Sequence, residues 1–395
     1  MQVYADNAAT TKMSDNAVQA MLNAIQFAYG NPSSLHSKGQ EAKEVLDQSR
    51  ETMAQYLCCE PREIFFTSGG SEGDNQALLS AAAKGKKNGK KHIVSTTIEH
   101  HAILHTLNRL EKQGFEVTLL KVGDNGTVSA EEVASALRED TCLVTIMYAN
   151  NEIGSIMPVS EIAAVCRERG VLFHTDAVQA VGQLPLNIKE LQIDMLTLSA
   201  HKFHGPKGIG ILYCKKGVPL KKLIEGGAQE RGKRAGTENL PAIAGMAAAF
   251  ADAILHKEEN VEKVSAFRDQ IIDSLTKIPH TVLNGDRHQR LANNVHLCFE
   301  GIEGESLLLL LDKNGVCASS GSACTSGSLD PSHVLLAIGR PHEIAHGSLR
   351  LSLSTDNTQA EIEHIIKVVP KVVSYLRGMS PVWQDLQAGK MPHLI

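Results

Sequence analysis

Between residues 63 and 214 the chain repeats one pattern, a short run rich in apolar and β-branched residues followed by a longer stretch with apolar residues at helical spacing. The runs are "EIFFT" (63–67), "HIVSTT" (92–97), "EVTLLKV" (116–122), "CLVTIMY" (142–148), "VLFHTD" (171–176), "DMLTLSA" (194–200) and "GILYC" (210–214). Between most of them lie segments such as "SAEEVASALRED" and "PVSEIAAVCRERG", each with a polar start and the second closing on glycine, which read as helices. Strands alternating with helices need crossover connections. The pattern therefore predicts an α/β fold with a mostly parallel seven-stranded sheet, helices on both faces, and ligands at the carboxyl ends of the strands. From about residue 255 the pattern changes to a long charged helix ("KEENVEKVSAFRDQIIDSLTKI"), short strands near "NNVHLCF" and "SLRLSLS", and a closing helix around "QAEIEHIIKVVPKVVSYL", which predicts a second, smaller α+β domain.

Bulk properties narrow the function classes. A chain of 395 residues with 43% hydrophobic and 21% charged residues can bury a large core, so disorder and fibres are excluded. A formal net charge of -5 gives no global attraction to nucleic acid or an anionic membrane. No apolar run approaches the ~20 residues that span a bilayer, and "MQVYADNAATTK" lacks the basic start and apolar core of a signal peptide, so the cytoplasm is expected. The cysteines show no C-x-x-C pair and no compact framework, so they are expected to be reduced and mostly to act as small core hydrophobes. The one charge run, "KGKKNGKKH" (84–92), reads as a solvated helix end in preference to an anion-binding patch.

The strand ends carry the candidate chemistry. Lys202 directly follows the run "DMLTLSA", and a lysine partly desolvated there has a lowered pKa and can form a Schiff base with a carbonyl. The run "VLFHTD" ends in Asp176, 26 residues earlier, a suitable length for one strand, helix, strand return. Parallel neighbours would bring the acid and the amine to one sheet edge. Pyridoxal phosphate asks for that pair: a lysine for its aldehyde and an acid to keep its pyridinium nitrogen protonated. A phosphate cradle is offered by "TSGGSEGDNQALL" (67–79), where glycines admit close approach to backbone N–H groups, Ser71 adds a hydroxyl, and an Ala/Leu helix opens. Neither the dinucleotide nor the P-loop glycine spacing is present. "IEHHAILH" places His100, His101 and His105 together, but no third zinc ligand pattern follows. His100 reads either as an imidazole lying against a flat cofactor and moving protons, or as a helix-start histidine without catalytic work.

The ordered set "DNAATT" (6–11), "GNPSSLH" (30–36), "FTSGGSEGDN" (66–75), "YANNEIG" (148–154), "HTDAVQAVG" (174–182), "SAHKFHGPKGIG" (199–210), "ERGKRAGTEN" (230–239), "SSGSACTSG" (319–327) and "GSLRLSLS" (347–354) resembles cysteine desulfurases of the NifS/IscS type, in the class V aminotransferase branch of the fold-type I pyridoxal-phosphate enzymes. The resemblance covers nearly the whole chain. It implies a large cofactor-binding α/β domain over 15–254 and a small α+β domain formed by 1–14 and 255–395. It also implies a Schiff base on Lys202, Asp176 at the pyridinium nitrogen, His100 on the ring, Gln179 at the phenolic oxygen, and Asn151 between cofactor and substrate. Gly70, Ser71, Ser199 and His201 match phosphate-binding positions, and Thr237 matches the one that reaches the phosphate from a neighbouring subunit, so a homodimer is implied. Arg350 resembles the arginine that grips the substrate carboxylate, where a planar fork suits two oxygens, with Asn31 as helper. The family commonly has Ala-Thr and then Ser/Asn where this chain has Gly70-Ser71 and Gly73-Asp74, which implies a looser cradle.

The segment "ASSGSACTSG" (318–327) sets Cys324 among Ala, Ser, Gly and Thr alone, a composition that cannot bury an apolar face and reads as a mobile loop. In the family such a loop carries the sulfur: L-cysteine is converted to L-alanine, Cys324 takes the sulfur as a persulfide, and the loop carries it to an acceptor protein. Iron–sulfur cluster assembly on a scaffold protein of the IscU/NifU type is the leading use, with Cys324 a candidate for a transient iron–sulfur ligand. A selenocysteine lyase or class V aminotransferase would share the cofactor residues without needing this loop. A Cys–His hydrolase would need a fixed histidine beside Cys324. A non-catalytic binding protein on the same fold would have no use for Lys202, Asp176 and Arg350 together.

Overall fold

The structure is a computed structural model and describes residues 1–320 and 331–395. Its strands are Val3–Tyr4 (β1), Ile64–Thr67 (β2), His92–Thr96 (β3), Glu116–Leu120 (β4), Thr141–Thr145 (β5), Leu172–Asp176 (β6), Met195–Ser199 (β7), Gly210–Cys214 (β8), Thr281–Leu283 (β9), Asn294–Phe299 (β10), Val316–Cys317 (β11) and Ser348–Ser352 (β12). The seven runs expected to be strands are β2 to β8, and they form one sheet in the order β2-β8-β7-β6-β5-β3-β4. Only β8 runs against its neighbours, pairing antiparallel with β7 and β2. It follows β7 through a tight connection too short for a crossover helix, which permits only the reversed direction.

Strands β2, β3, β5, β7 and β8 are buried along their whole length, as continuously apolar runs between two helical layers require. Strand β4 lies at the sheet edge and is half-exposed. The helix Ala130–Ala136 starts at a capping box in which Ser129 accepts from Glu132 N and Glu132 reaches back to Ser129 N. The helix Val159–Glu168 gives way to Gly170 at φ +61°, where a side chain would be strained. The lysine-rich run at 84–91 is the exposed end of the helix Gly70–Lys87 and the turn that follows.

Beyond residue 255 the helices Lys257–Leu275 and Gln359–Met379 pack on an antiparallel sheet of order β12-β10-β9. Their apolar faces enclose a core of their own, to which Val3 and Ala5 also belong. The first residues are tied there because β1 pairs with β11 and Asp6 bridges to Ser352. Cys142, Cys166, Cys214 and Cys298 are buried and Cys58, Cys59 and Cys317 half-buried; all seven are free thiols. No helix of the described residues is long and apolar enough to cross a membrane.

Candidate active site

Strands β6 and β7 are parallel neighbours, in register from His174 opposite Met195 to Asp176 opposite Thr197. This pairing brings Asp176, the last residue of β6, to the same sheet edge as Ser199, which ends β7, and Lys202, which closes the single 3-10 turn after it. A cavity of about 410 Å³ opens there. Ten of the residues expected to form the site line it: Gly70, Ser71, His100, Asn151, Asp176, Gln179, Ser199, His201, Lys202 and Arg350.

Local folding explains each placement. Lys202 Nζ donates to the carbonyls of Ala8 and Ala9 at 2.6 and 2.7 Å, and Gln179 Nε2 donates to Ala8 O at 3.1 Å, so the "DNAATT" segment forms one wall of the cavity. His100 caps the helix His101–Glu111, its Nδ1 accepting from Ala102 N at 3.2 Å. Gly69 adopts φ +150°, and the helix Gly70–Lys87 that follows it brings Gly70 and Ser71 at its amino end into the cavity lining along with Ser199 and His201. A Cβ on Gly210 would stand 2.4 Å from Leu198 O and 2.9 Å from Gly69 Cα, so only glycine lets β8 and this loop meet. A Cβ on Gly70 would come within 3.0 Å of Val178 Cγ2, so the space of the missing methyl is taken up by Val178.

Arg350 comes from the smaller sheet. It is 1% exposed on β12, with Nη1 donating to Asn151 O at 3.1 Å and Nη2 paired with Asp6 Oδ1 at 3.1 Å. Ser319 is bridged to the same residue through Ser319 N to Arg350 O at 3.2 Å and Arg350 N to Ser319 O at 2.6 Å. Past residue 330, Ser332 donates to Glu152, and His333 and Val334 line the cavity. The chain thus leaves and re-enters the described structure beside the cavity. Cys324 lies outside the described residues.

Two expected site residues are not at the cavity. Asn31 is exposed, its Oδ1 accepting from Ser33 N. Thr237 is exposed in the segment after Gln229–Gly232. That segment is fixed by Glu230, which pairs bidentately with Arg50 at 2.8 and 2.6 Å and accepts from Phe66 N. Glu230 and Arg231 both have positive φ, a conformation that the buried ion pair holds in place.

The cavity also contains acids that motif reasoning did not single out. Asp74 and Asp176 are both buried; burial raises both, and the charge of Asp176 pushes Asp74 further, while His100 and Lys202 pull Asp176 back down. Both carboxyls are thus raised above the ordinary aspartate range, Asp74 the further of the two. Burial pushes Glu99 to about 8 against hydrogen bonds from Thr96 and the Met147 N–H, and burial raises Glu152 against Ser332, Arg350 and His100. Burial, Lys202 and Lys207 lower His201 to about 4, so its imidazole is neutral near pH 7, its Nδ1 3.1 Å from Thr10 Oγ1. Asp74 stood inside the quoted glycine loop and Glu99 directly before His100, but nothing in residue type alone marks a buried acid.

A lysine amine, a carboxylate on the neighbouring strand, a glycine-lined helix start and a neutral imidazole fit pyridoxal phosphate in charge and hydrogen-bonding type. The model of the family described as Aminotransferase class-V matches residues 3–365. A cysteine desulfurase IscS of Clostridium botulinum is 50% identical over 392 residues, covering 98% of this chain and 98% of the relative. A cysteine desulfurase IscS of Methanosarcina thermophila is 52% identical over 380 residues, 96% and 94% of the two chains. Among solved structures, a NifS-like protein superposes with a TM-score of 0.89 at 38% identity, covering 95% of this chain and all of that one. The chain belongs to the class-V aminotransferase family, and within it to the cysteine desulfurases.

Proposed function

We propose that the chain is a pyridoxal-phosphate-dependent cysteine desulfurase that converts L-cysteine to L-alanine and receives the sulfur as a persulfide on Cys324. The observation that carries this reading is the meeting of Lys202, Asp176 and Arg350 at one cavity, two from adjacent strand ends and one from the smaller sheet. Pyridoxal phosphate, when bound, supplies an electron-poor ring that stabilises negative charge at the substrate Cα. Lys202 would hold the cofactor and move the Cα proton, Asp176 would offer its carboxylate to the ring nitrogen, and His100 would lie against the ring and take part in proton traffic. Gly70, Ser71, Ser199 and His201 would hold the phosphate and Gln179 the phenolic oxygen. Arg350, with Asn151, would orient the substrate carboxylate.

In the sulfur step the Cβ–S bond of cysteine breaks, and the carbon keeps the electron pair and takes a proton to become the alanine methyl. The Cys324 thiolate forms the new S–S bond. Net, cysteine and a thiol become alanine and a persulfide, with no external oxidant. The anchoring of both ends of 321–330 beside the cavity supports a thiol reaching it from that segment. The reading extends to a homodimer in which the partner's phosphate is reached by Thr237, supported by the exposure of that segment on a fixed base. It also extends to the domain division 15–254 against 1–14 with 255–395, supported by the core that Val3 and Ala5 share with residues between 264 and 376, and to sulfur delivery in the cytoplasm to a scaffold protein of the IscU/NifU type. A transient iron–sulfur ligand role for Cys324 belongs to the same reading.

The test is Lys202→Ala. It should lose the borohydride-reducible cofactor linkage and nearly all turnover, since among the described residues no other lysine lines the cavity. Retention of a reducible linkage in the variant would remove Lys202 from its role.

A further inference from the structure

Outside the lining of this cavity, three metal-ligating side chains from three separate segments converge at one end of the smaller sheet. His280 stands just before β9, Glu300 just after β10, and His393 near the end of the described chain. Glu300 is 3% exposed, yet its carboxylate meets two imidazoles: Oε2 lies 3.2 Å from His280 Nδ1 and 2.7 Å from His393 Nδ1. The three ligand atoms all lie within 4.8 Å of one another. The imidazole rings are stacked at 3.8 Å with a 22° tilt, and both Nδ1 atoms approach the same carboxylate oxygen.

We propose that His280, Glu300 and His393 form a site for a divalent transition-metal ion of the zinc class. Two imidazoles and one carboxylate are a borderline donor set suited to that class and not to calcium or magnesium, which take oxygen. A tetrahedral ion at about 2.0–2.1 Å from each ligand needs ligand atoms about 3.3 Å apart. From the shared carboxylate oxygen His280 Nδ1 stands at 3.2 Å, close to that spacing, and His393 Nδ1 at the hydrogen-bond distance of 2.7 Å, so an ion would move His393 outward by about half an ångström and take the place of the 2.7 Å contact between His280 Nδ1 and Ile395 O. The surroundings hold the ligands in this geometry. His280 keeps a left-handed backbone, φ +53°, and its carbonyl accepts from Arg377 Nη2 at 2.8 Å. Arg377 Nε donates to the Glu300 carbonyl at 3.0 Å and Nη1 to Pro279 O at 2.7 Å. The guanidinium is thus directed to main-chain oxygens, with its face 4.0 Å from the Trp383 ring, and the carboxylate is left to the imidazoles. Leu394 N donates to the other carboxylate oxygen at 2.6 Å, which orients Oε2 toward the histidines. An ion here would fasten the last residues of the chain to β9 and β10, independently of the cysteine desulfurase reaction.

The chain's single tryptophan makes the site directly observable, because Trp383 lies 5.4 Å from the His280 ring and 5.8 Å from the His393 ring. The experiment uses the full-length cofactor-loaded protein, stripped with a chelator and desalted, with Cys324→Ser as background so that the site thiol binds no metal. Titration with cobalt(II) should give one equivalent of tetrahedral visible absorption bands and saturable quenching of Trp383 fluorescence, both reversed by zinc(II). His393→Ala, a change at an exposed residue, should weaken cobalt binding at least tenfold, and Glu300→Gln should do the same. Absent or non-saturable cobalt binding would overturn the proposal. So would stoichiometric binding that is equally tight in His393→Ala and Glu300→Gln.

Discussion

Arg350 is the residue whose reading depends most on geometry, because a buried guanidinium is costly unless its donors are matched. Here Asn151 O and Asp6 Oδ1 take two donors while the side chain still borders the cavity. Charge-assisted hydrogen bonds of a planar fork contribute about 1.5–3 kcal/mol each, or about 10- to 150-fold in affinity. Arg350→Ala should therefore raise the Michaelis constant for cysteine by at least tenfold and leave cofactor content close to wild type. Steady-state kinetics with cofactor absorbance checks this, and an unchanged Michaelis constant would contradict the role. Asp6 belongs to this arrangement, and "DNAATT" was legible only as a family segment. Its carboxylate meets Arg350 because β1 pairs with β11 and carries Asp6 to β12, a long-range pairing that local residue order does not encode.

At the level of elements, continuous burial of a strand has a consequence for pH. His174 sits inside β6, 0% exposed, its ring between Thr145 Oγ1 at 2.9 Å and Thr197 Oγ1 at 3.0 Å. Burial lowers it from 6.5 to about 3, so it is neutral, and its 3.7 Å approach to Asp74 is no ion pair at neutral pH. The folded pKa is depressed, so below pH 6.5 the unfolded chain binds one more proton than the folded one at this site. The stability this group contributes is whole above 6.5 and is lost as pH falls toward 3, by about 1.4 kcal/mol per pH unit. In His174→Gln the slope of unfolding free energy between pH 4 and 6 should be shallower by about that amount. Denaturant unfolding across this range measures it, and parallel slopes would show that His174 titrates alike in both states. All seven strands of the large sheet were legible because continuous apolar runs between helical segments admit little else. The reversal of β8 was not legible, since direction depends on how much chain separates two strands and where it packs. Nor were β9, only three residues long, and the helix Pro381–Gln387, which follow weakly patterned sequence.

Across the whole molecule the cavity is a junction. The large sheet supplies Asp176, Ser199 and Lys202 at its strand ends, and the smaller sheet supplies Arg350 and the anchor for Ser319. This division matches the two halves of the proposed chemistry: proton movement at Cα belongs to the strand-end residues, and sulfur capture belongs to Cys324 on the segment that begins and ends beside Arg350 and Glu152. The lysine and the acid were legible because each closes a strand-like run, whereas Cys324 lies outside the described residues. The acids Asp74, Glu99 and Glu152 were not, because burial arises only when distant segments pack. The measurement that bears most directly on this division is a comparison of wild type and Cys324→Ala mixed with cysteine, following the cofactor spectrum and quantifying alanine and protein-bound persulfide. The variant should stay yellow and change its spectrum on binding cysteine, yet form almost no alanine and no persulfide, whereas wild type forms the two in equal amounts in a single turnover. Near-normal alanine production by Cys324→Ala would contradict the account.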